Sequence, residues 1–551
     1  MFKTRYISML VLLAAVATGA MAQTTYKVSV KEGTEDATSW TIAPAEATTT
    51  GVAAGTEVKA TYSGTKKVKS VKAKKKAAAW DGTITAQLAA KLAYTGGEIA
   101  DFTDATDDLT TMTWAVGEHI AILYEVSGTK KVADAEITAV DGTTGAATIT
   151  FTVEDGTPDN TACTLVYPYS AAKDDHTGVK DAATLLAAQD GTLNANLDVR
   201  VGEGTIYTTT PGLTVTSQPA AQFAIWKLTL ANNAKNLCIM ADDITIAGAT
   251  LGTAGTEFYV AVPEVSSKTV TIVANDASNN CYYYSKAGVS LAAGRYYQSS
   301  PSMTALDEDN SKPLYKITAT SDASIPSGGK TVVLSGVNIS SGSITCDGNV
   351  TMILLGSNSV TATNEKAAIK IGGSGTTLTI TGSGSLTAQG GEGAAGIGTD
   401  YTMYYTLSGG NIVINGGTVI ATGGFCSAGI GTGRVESLYG ASITCGDITI
   451  NGGTVTATGG NGAAGIGTGL STGDNGSNRC GAITIGTGVI SVTATKGEYS
   501  PNSIGKGAAD EGGTQTCGTI TIGGTIYWDG SAYQNGGNTY LVNNITYPTA
   551  P

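Results

Sequence analysis

Tyrosine, acidic, amide and arginine side chains gather in the variable loops of a C-terminal repeat. Three of these loops read DYTMYYTLS, RVESLYGAS and LSTGDNGSNR, and they follow Gly-Ile-Gly-Thr segments. Aromatic rings can pack on the apolar face of a sugar while polar groups take its hydroxyls, so this composition indicates a sugar-binding edge. The alternative is that the tyrosines only cover the edge of the fold. The candidate ligand-binding residues are Tyr401, Tyr404, Tyr405, Arg434, Glu436, Tyr439, Asp474, Asn475 and Arg479.

Side chains for acid–base or nucleophilic catalysis are scarce. The two histidines, His119 and His176, stand in unrelated sequence contexts, so no Ser-His-Asp set is expected. The acids of the repeat region are scattered among loops, whereas glycoside hydrolysis needs two converging carboxyl groups. We therefore expect no enzyme activity and no cofactor. A polysaccharide lyase or hydrolase is the second hypothesis.

Three of the eight cysteines recur at one position of the repeat. Cys445, Cys480 and Cys517 each precede a Gly-x-Ile-Thr-Ile segment. Their spacing predicts a stacked column with neighbours about one strand spacing apart, which is within the distance range of a disulfide. The column is either a stack of small buried thiols or contains one bonded pair. No Cys-x-x-Cys pair is present, so no metal site is expected.

The repeat itself predicts a stacked fold. Gly410–Gly433 reads GNIVINGGTVIATGGFCSAGIGTG, and Gly446–Gly469 reads GDITINGGTVTATGGNGAAGIGTG. Further copies begin at Thr376, Gly481 and Gly518, at regular spacing. Apolar residues alternate with threonine in two short segments, and a third short segment ends each copy. Three strands per coil predict a right-handed parallel β-helix over residues 314–551.

Composition and charge limit the possible fold classes and partners of the whole chain. The 551 residues include 74 glycines, only 14% are charged, and the net charge is −13. Low charge argues against coiled coils, and the negative balance makes nucleic acid an unsuitable partner. Residues 1–22 have a positive start, a short apolar run and an Ala-Met-Ala end, which predicts a signal peptide cut before Gln23. No membrane insertion is expected after that cleavage.

The remaining segments predict further β-domains. Residues 23–76 predict a small β module with a basic linker. Strand-like runs at a spacing of about ten residues predict an antiparallel β-sandwich over 77–305. A polar break at 306–313 predicts a linker before the β-helix. The predicted class is therefore all-β throughout.

Residues 77–305 resemble the fimbrillin-like proteins of Gram-negative gut and oral bacteria. The resemblance implies a transthyretin-like β-sandwich and adhesion at a surface or pilus, with the shared motif residues structural. No arginine lies between Arg5 and Arg200, and no cysteine lies near the predicted cut, so trimming after arginine, lipid attachment and assembly into a pilus shaft are not expected. The motifs are Trp114–Ile120, Leu165–Ser170, Gln189–Gly191, Phe223–Leu228 and Leu291–Tyr297.

Residues 314–551 resemble the β-helical, carbohydrate-binding-type modules of secreted proteins from the same bacteria. Together these features predict a secreted or cell-surface, non-catalytic, adhesin-like protein. Its expected partners are extracellular glycan or a host or matrix surface, and other fimbrial-type subunits are a further alternative. A structural stalk or accessory pilus component is the third hypothesis.

Overall fold

The computed structural model is almost entirely β-structure. It describes the backbone of residues 5–10, 25–32, 35–36, 40–43, 52–53, 57–62, 71–75, 82–99, 107–186, 189–242, 244–437, 440–473, 475–510 and 512–548, and side chains from residue 82 onward except Ala183. Helical turns among these residues are Tyr169–Ala171, Ala182–Leu186, Ala195–Leu197 and Gly537–Tyr540. No helix in this described part is long and apolar enough to cross a membrane. The predicted all-β class is confirmed.

The N-terminal segment forms small antiparallel sheets. In one, Glu57–Tyr62 lies between Arg5–Leu10 and Trp40–Ala43. In the other, Thr25–Glu32 pairs with Glu35–Asp36, Val52–Ala53 and Val71–Lys75. Val71–Lys75 belongs to the segment expected to be a basic linker, so that part of the linker is a paired strand. The predicted cleavage site before Gln23 lies outside the described residues, and the signal peptide stays a prediction.

Residues 83–221 contain a seven-stranded antiparallel sheet that curls on itself. Alternate residues of its strands are buried, as in Thr83–Leu88, where Ile84 and Leu88 face the core. Its two edge strands share that core, and the Ala89 amide donates to Gln218 Oε1 at 3.3 Å across the seam. In spatial order the strands are Gly212–Ala221, Arg200–Tyr207, Thr161–Tyr167, His119–Val126, Thr129–Val140, Ala147–Thr152 and Thr83–Leu88.

A second seven-stranded sheet is built around the long strand Ala224–Ala241. This strand pairs with Ile244–Val262 along most of its length, and its first half also pairs in parallel with Arg295–Ser299. The sheet is antiparallel, as expected, except where Arg295–Ser299 pairs in parallel with this strand and with Thr95–Gly96. The other strands are Val265–Asn275, Cys281–Leu291, Thr304–Ala305 and Thr95–Gly96. Ala121 and Leu123 of the first sheet share a core with Ile225 of the second.

From Leu314 onward the chain winds into the predicted parallel β-helix. The first row of strands contains Leu314–Ile317, Lys330–Ser335, Val350–Leu355, Thr377–Gly382, Asn411–Thr422, Ile448–Thr458, Ile483–Ile485 and Ile520–Ile522. The second row contains Asn338–Ile339, Ser357–Thr361, Ser385–Gln389, the second halves of Asn411–Thr422 and Ile448–Thr458, and Ser491–Thr495. The third row contains Ala323–Ile325, Ile344–Cys346, Ile369–Ile371, Ile397–Gly398, Ile430–Gly431, Ile466–Gly467 and Ile504–Gly505.

Identical residues stack through these rows because successive coils pair in register. Ile414, Ile450 and Ile485 lie in one buried column. At one corner glycine is obligatory: Gly431 has φ +131°, and an added Cβ would lie 1.9 Å from the Gly467 carbonyl oxygen of the next coil. The glycine excess of the composition is thus partly a packing requirement.

The prediction of three strands per coil is incomplete. The segments expected to be variable loops contain a fourth row, made of Thr406–Ser408, Ser442–Cys445, Ser477–Cys480 and Thr514–Cys517, and a fifth short row, made of Val435–Glu436 and Ser471–Thr472. These strands are rich in serine and threonine and show little apolar alternation, which is why the pattern did not indicate them. A small core of Val435, Ala441 and Ile443 lies beneath them.

The sheet region and the β-helix share a buried junction. Val333 and Ile353 point outward from the helix and pack against Met240 of the second sheet. Thr381, which follows Ile353 in this column, lies with its Oγ1 2.7 Å from Thr245 Oγ1. Within the predicted linker 306–313, Leu306 joins the same core. The domain limits themselves stay predictions.

Two antiparallel strands close the far end of the helix. Thr525–Trp528 turns back on Ile520–Ile522, and Ile545–Tyr547 pairs with Ser491–Thr495. The Trp528 side chain is buried against the last coil, and its Nε1 donates to the Cys517 carbonyl at 3.3 Å. The end strands therefore cover the open end of the core.

Candidate functional site

Three of the predicted ligand-binding side chains meet on the outer surface of the helix. Arg434 Nη2 lies 2.6 Å from Glu436 Oε2, and the Tyr401 hydroxyl donates to the same oxygen at 3.2 Å. The Arg434 guanidinium carbon lies 5.9 Å from the centre of the Tyr401 ring. One carboxylate oxygen thus holds a cation and an aromatic ring in fixed positions.

Backbone pairing between adjacent coils brings these side chains together. The Thr402 amide donates to the Arg434 carbonyl at 3.2 Å, and the Glu436 amide donates to the Thr402 carbonyl at 3.0 Å. The Tyr401 ring covers Gly393, where an added Cβ would lie 2.9 Å from ring carbon Cδ2. Gly393 therefore leaves the space that the ring occupies.

Phe425 also contacts this group, and the sequence analysis did not select it. Its ring centre lies 5.9 Å from the Arg434 guanidinium carbon, and its side chain is 55% exposed. Phe425 lies at a turn of the repeated segment rather than in a variable loop. The sequence could have indicated it, because an aromatic residue stands where the equivalent residues of the other copies are polar: Glu392, Asn461 and Glu498.

Tyr404 and Tyr405 extend the aromatic surface into solvent. They are 55% and 72% exposed, and their rings meet edge to face with centres 6.3 Å apart. Thr402 Oγ1 accepts from the Tyr405 amide at 3.1 Å and donates to the Tyr405 carbonyl at 3.0 Å, which fixes this turn. We call Tyr401, Tyr404, Tyr405, Phe425, Arg434 and Glu436 the aromatic platform.

The charged side chains of the platform, Arg434 and Glu436, leave it with no net charge. The Arg434 charge is balanced by Glu436, and partial burial together with the Glu436 charge raises the pKa of Tyr401 to about 12. The Tyr401 hydroxyl therefore stays protonated and continues to donate at physiological pH. Arg434 Nε is buried without a hydrogen-bond partner, so the guanidinium is held by its Nη2 end and by the two rings.

The other predicted binding residues are not shown to join the platform. Arg479 is exposed on the fourth row, in register with Thr444 and Thr516. Asn475 is exposed at a turn with φ +62°. Tyr439 and Asp474 lie outside the described residues, so their place in a site stays a prediction.

The three repeat cysteines lie side by side on the fourth row. Cys445 pairs in register with Cys480, and Cys480 with Cys517. Cys480 and Cys517 have their Sγ atoms 3.0 Å apart, and all three are free, buried thiols. Burial raises the pKa of Cys445 to about 12. The hydrogen bond to Cys517, together with burial, holds the pKa of Cys480 well above its ordinary value. Buried thiols of raised pKa are poor nucleophiles, so Cys445 and Cys480 pack as small apolar side chains.

Among the described residues, neither histidine is part of a catalytic set or a metal site. His119 Nδ1 lies 2.7 Å from Asp134 Oδ1 on an exposed strand pair. His176 is at a turn with φ +60°. The described residues contain no group of three or more histidine, cysteine or acidic side chains that could hold a metal ion.

Comparison with known proteins gives one family match and several structural ones. A family model described as a beta helix repeat matches residues 378–401, 412–434 and 448–470. No curated protein matches the chain.

Among solved structures, a proposed cell adhesion protein from Bacteroides uniformis is 14% identical with a TM-score of 0.24, covering 40% of this chain and 93% of that one. A proposed cell adhesion protein from Bacteroides ovatus is 12% identical with a TM-score of 0.24, covering 37% and 90%. A fimbrial protein from Bacteroides ovatus is 11% identical with a TM-score of 0.22, covering 34% and 44%. The chain thus carries beta helix repeats in its C-terminal region, and its structural neighbours are fimbrial and proposed cell adhesion proteins of Bacteroides.

Proposed function

We propose that this chain is an exported, surface-exposed, adhesin-like protein that binds extracellular glycan at the aromatic platform without catalysis. The observation that carries the proposal is the set of exposed rings: Tyr404, Tyr405 and Phe425 are each more than half exposed. Clustered exposed apolar side chains often mark a binding surface, whereas singly exposed ones are common on protein surfaces. The Phe425 ring lies beside the Arg434 guanidinium and the Tyr404 and Tyr405 rings pack edge to face, and these two contacts support a binding surface rather than a covering of the fold edge.

The geometry favours neutral sugars over acidic ones. Arg434 is already paired with Glu436 at 2.6 Å, so it offers no free charge to a uronic acid or sulfate. The chain as a whole has a net charge of −13, which also disfavours anionic polymers. An uncharged sugar can stack its C–H face on the rings and accept hydrogen bonds from the guanidinium edge.

The same geometry disfavours polysaccharide cleavage at this place. A glycosidase needs one carboxyl group as acid and another as base or nucleophile. Glu436 is already engaged by Arg434 and Tyr401. We therefore assign Glu436 the role of positioning the platform.

We also propose that the chain acts as a stalk that holds the binding surface away from its point of attachment. Val333 and Ile353 on the outside of the helix pack against Met240 in a buried cluster that joins the helix to the sheet region. A stiff connection of this kind supports presentation of the platform away from the point of attachment.

A glycan array probed with the mature full-length chain tests the proposal. We expect retention on neutral glycans, and loss of retention for the double variant Tyr404→Ala/Tyr405→Ala. The matched control is Tyr499→Ala, since Tyr499 is 76% exposed on a later coil. Failure to bind any glycan would reject the proposal, and release of new reducing ends from bound polysaccharide would favour the hydrolase hypothesis.

A further inference from the structure

A buried cluster of charged and aromatic side chains lies in the first sheet region, far from the aromatic platform in sequence. The Lys91 side chain is 2% exposed and the Asp198 side chain 0% exposed, and Lys91 Nζ lies 3.0 Å from Asp198 Oδ2. Glu118 Oε2 lies 3.6 Å from the same nitrogen. A lysine, an aspartate and a second carboxylate thus meet inside the fold.

Aromatic rings enclose the lysine. Its Nζ lies 3.7 Å from the centre of the Tyr167 ring and 4.5 Å from that of Trp114. Burial lowers the pKa of Lys91, although the Asp198 and Glu118 charges act in the opposite direction. Desolvation of this kind favours the neutral amine, which is the nucleophilic form of lysine.

The two oxygens of Asp198 have different surroundings. Oδ1 accepts a hydrogen bond from Arg200 Nε at 2.6 Å and from the Tyr94 hydroxyl at 3.0 Å. Oδ2 is buried and accepts no hydrogen bond of good angle, in spite of the nearby Lys91 nitrogen. Oδ1 is therefore held by donors that stabilise negative charge, and among the described residues Oδ2 is in contact only with the Lys91 amine.

We propose that Lys91 and Asp198 condense to form an intramolecular isopeptide bond. Glu118 accepts a proton from the Lys91 ammonium group and passes it to Oδ2 of Asp198, and the freed amine attacks Cγ of the neutral carboxyl group. Arg200 and Tyr94 stabilise the charge that develops on Oδ1. A second proton then moves from the attacking nitrogen to Oδ2, the Cγ–Oδ2 bond breaks, and one water leaves.

The reaction balances without any further reagent. One ammonium and one carboxylate give one neutral amide and one water, so no oxidant or cofactor is needed. Two buried charges disappear, which removes the desolvation cost of the ion pair. A cavity of about 340 Å³ that adjoins Lys91, Glu118 and Tyr167 gives the water a way out.

The position of the bond suits a protein under mechanical load. Lys91 follows the edge strand Thr83–Leu88, and Asp198 precedes Arg200–Tyr207, which is next to the opposite edge of the same curled sheet. A covalent bond here would join the two ends of the sheet across its seam, where tension along the chain would otherwise open it.

The mass of the purified mature chain tests the proposal, once its N-terminus has been identified by peptide mapping. We expect a mass lower than that of the sequence by one water, and a tryptic product in which residues 77–130 are linked to residues 181–200. Lys91→Arg keeps the positive charge but cannot form the amide, so this variant should show its full sequence mass. Glu118→Gln keeps both reacting groups and removes the proton relay, so it should remain largely uncondensed.

Denaturing electrophoresis adds an independent reading. A bond between residues 91 and 198 closes a long loop, so the unfolded wild-type chain should migrate faster than the Lys91→Arg variant. Circular dichroism of each variant shows whether it has folded. A folded wild-type chain with its full sequence mass would overturn the proposal and leave Lys91 and Asp198 as a buried ion pair.

Discussion

Arg434 Nη2 and Glu436 Oε2 are 2.6 Å apart, and this ion pair holds the guanidinium within 5.9 Å of the ring centres of both Tyr401 and Phe425. Arg434 and Glu436 lie on one coil, and the Tyr401 hydroxyl of the preceding coil donates to the same Glu436 oxygen. The pair fixes the guanidinium against the Tyr401 and Phe425 rings. The proposed binding function depends on this rigidity, because a preorganised surface loses less entropy when a ligand binds.

Replacing Arg434 tests the role of the ion pair. Arg434→Ala should weaken glycan binding by about tenfold, since it removes the stacking cation and frees both rings. Arg434→Lys should recover little, because an ammonium group lacks the planar surface of the guanidinium. Isothermal titration with a glycan selected on the array measures both. Arg479→Ala is the matched control, and an equal loss in that variant would place the ligand elsewhere.

Replacing a stacked glycine tests the packing account of the β-helix. Gly431→Ala places a Cβ 1.9 Å from the Gly467 carbonyl oxygen, so the two coils must separate. We expect the free energy of unfolding to fall by about 3 kcal/mol or more. Gly440→Ala is the control, since it also has positive φ, +77°, but no atom lies within 4 Å of the added Cβ. That variant should lose only about 1 kcal/mol, and urea unfolding that finds equal losses would contradict the account.

The parts of the fold that could be predicted from the sequence are those in which the same residue type recurs in every coil. Ile414, Ile450 and Ile485 recur at the spacing of the coils, so their column could be predicted from the repeat alone. The fourth row was missed because Ser442–Cys445 and its neighbours present mainly hydroxyl groups, which carry no apolar period. The Lys91–Asp198 contact was missed for a different reason: it joins residues distant in sequence, and no local pattern connects them.

A substitution at the junction tests whether the sheet region and the helix form one cooperative unit. Ile353→Thr introduces the residue found at many outward positions of later coils, but at a site covered by the second sheet. Loss of buried apolar area should lower the free energy of unfolding by about 1.5–3 kcal/mol. Val413→Thr, at a partly exposed outward position, should change it by less than about 0.5 kcal/mol.

Limited proteolysis is a second measurement of whether the sheet region and the helix unfold together. If the two parts unfold together, Ile353→Thr should increase cleavage in both of them. Unchanged stability and unchanged cleavage would show that the contact between Ile353 and Met240 contributes little to the structure.

The cysteine column predicts a loss of stability in alkali. Burial raises the pKa of Cys445 to about 12 in the folded chain, whereas the pKa of an unfolded thiol is about 8.5. Between these values the unfolded chain releases the proton and the folded chain retains it. The free energy of unfolding therefore falls as the pH rises through this window, by about 1.4 kcal/mol per pH unit for each such thiol.

Cys445→Ser removes one of the titrating groups. The slope of unfolding free energy against pH should then be shallower than in the wild type by the contribution of one thiol, whatever the stability of the variant at neutral pH. Urea unfolding at several values between pH 8 and pH 11 measures the slopes. Identical slopes would show that Cys445 is not protected in the folded chain.

The central claim is that exposed aromatic side chains of the platform receive a neutral glycan. A crystal structure of the mature chain with an oligosaccharide selected on the array tests this most directly. We predict a sugar ring stacked on Tyr404, Tyr405 or Phe425, with a hydroxyl accepting a hydrogen bond from Arg434. A sugar bound at another surface, with the platform left open to solvent, would contradict the claim.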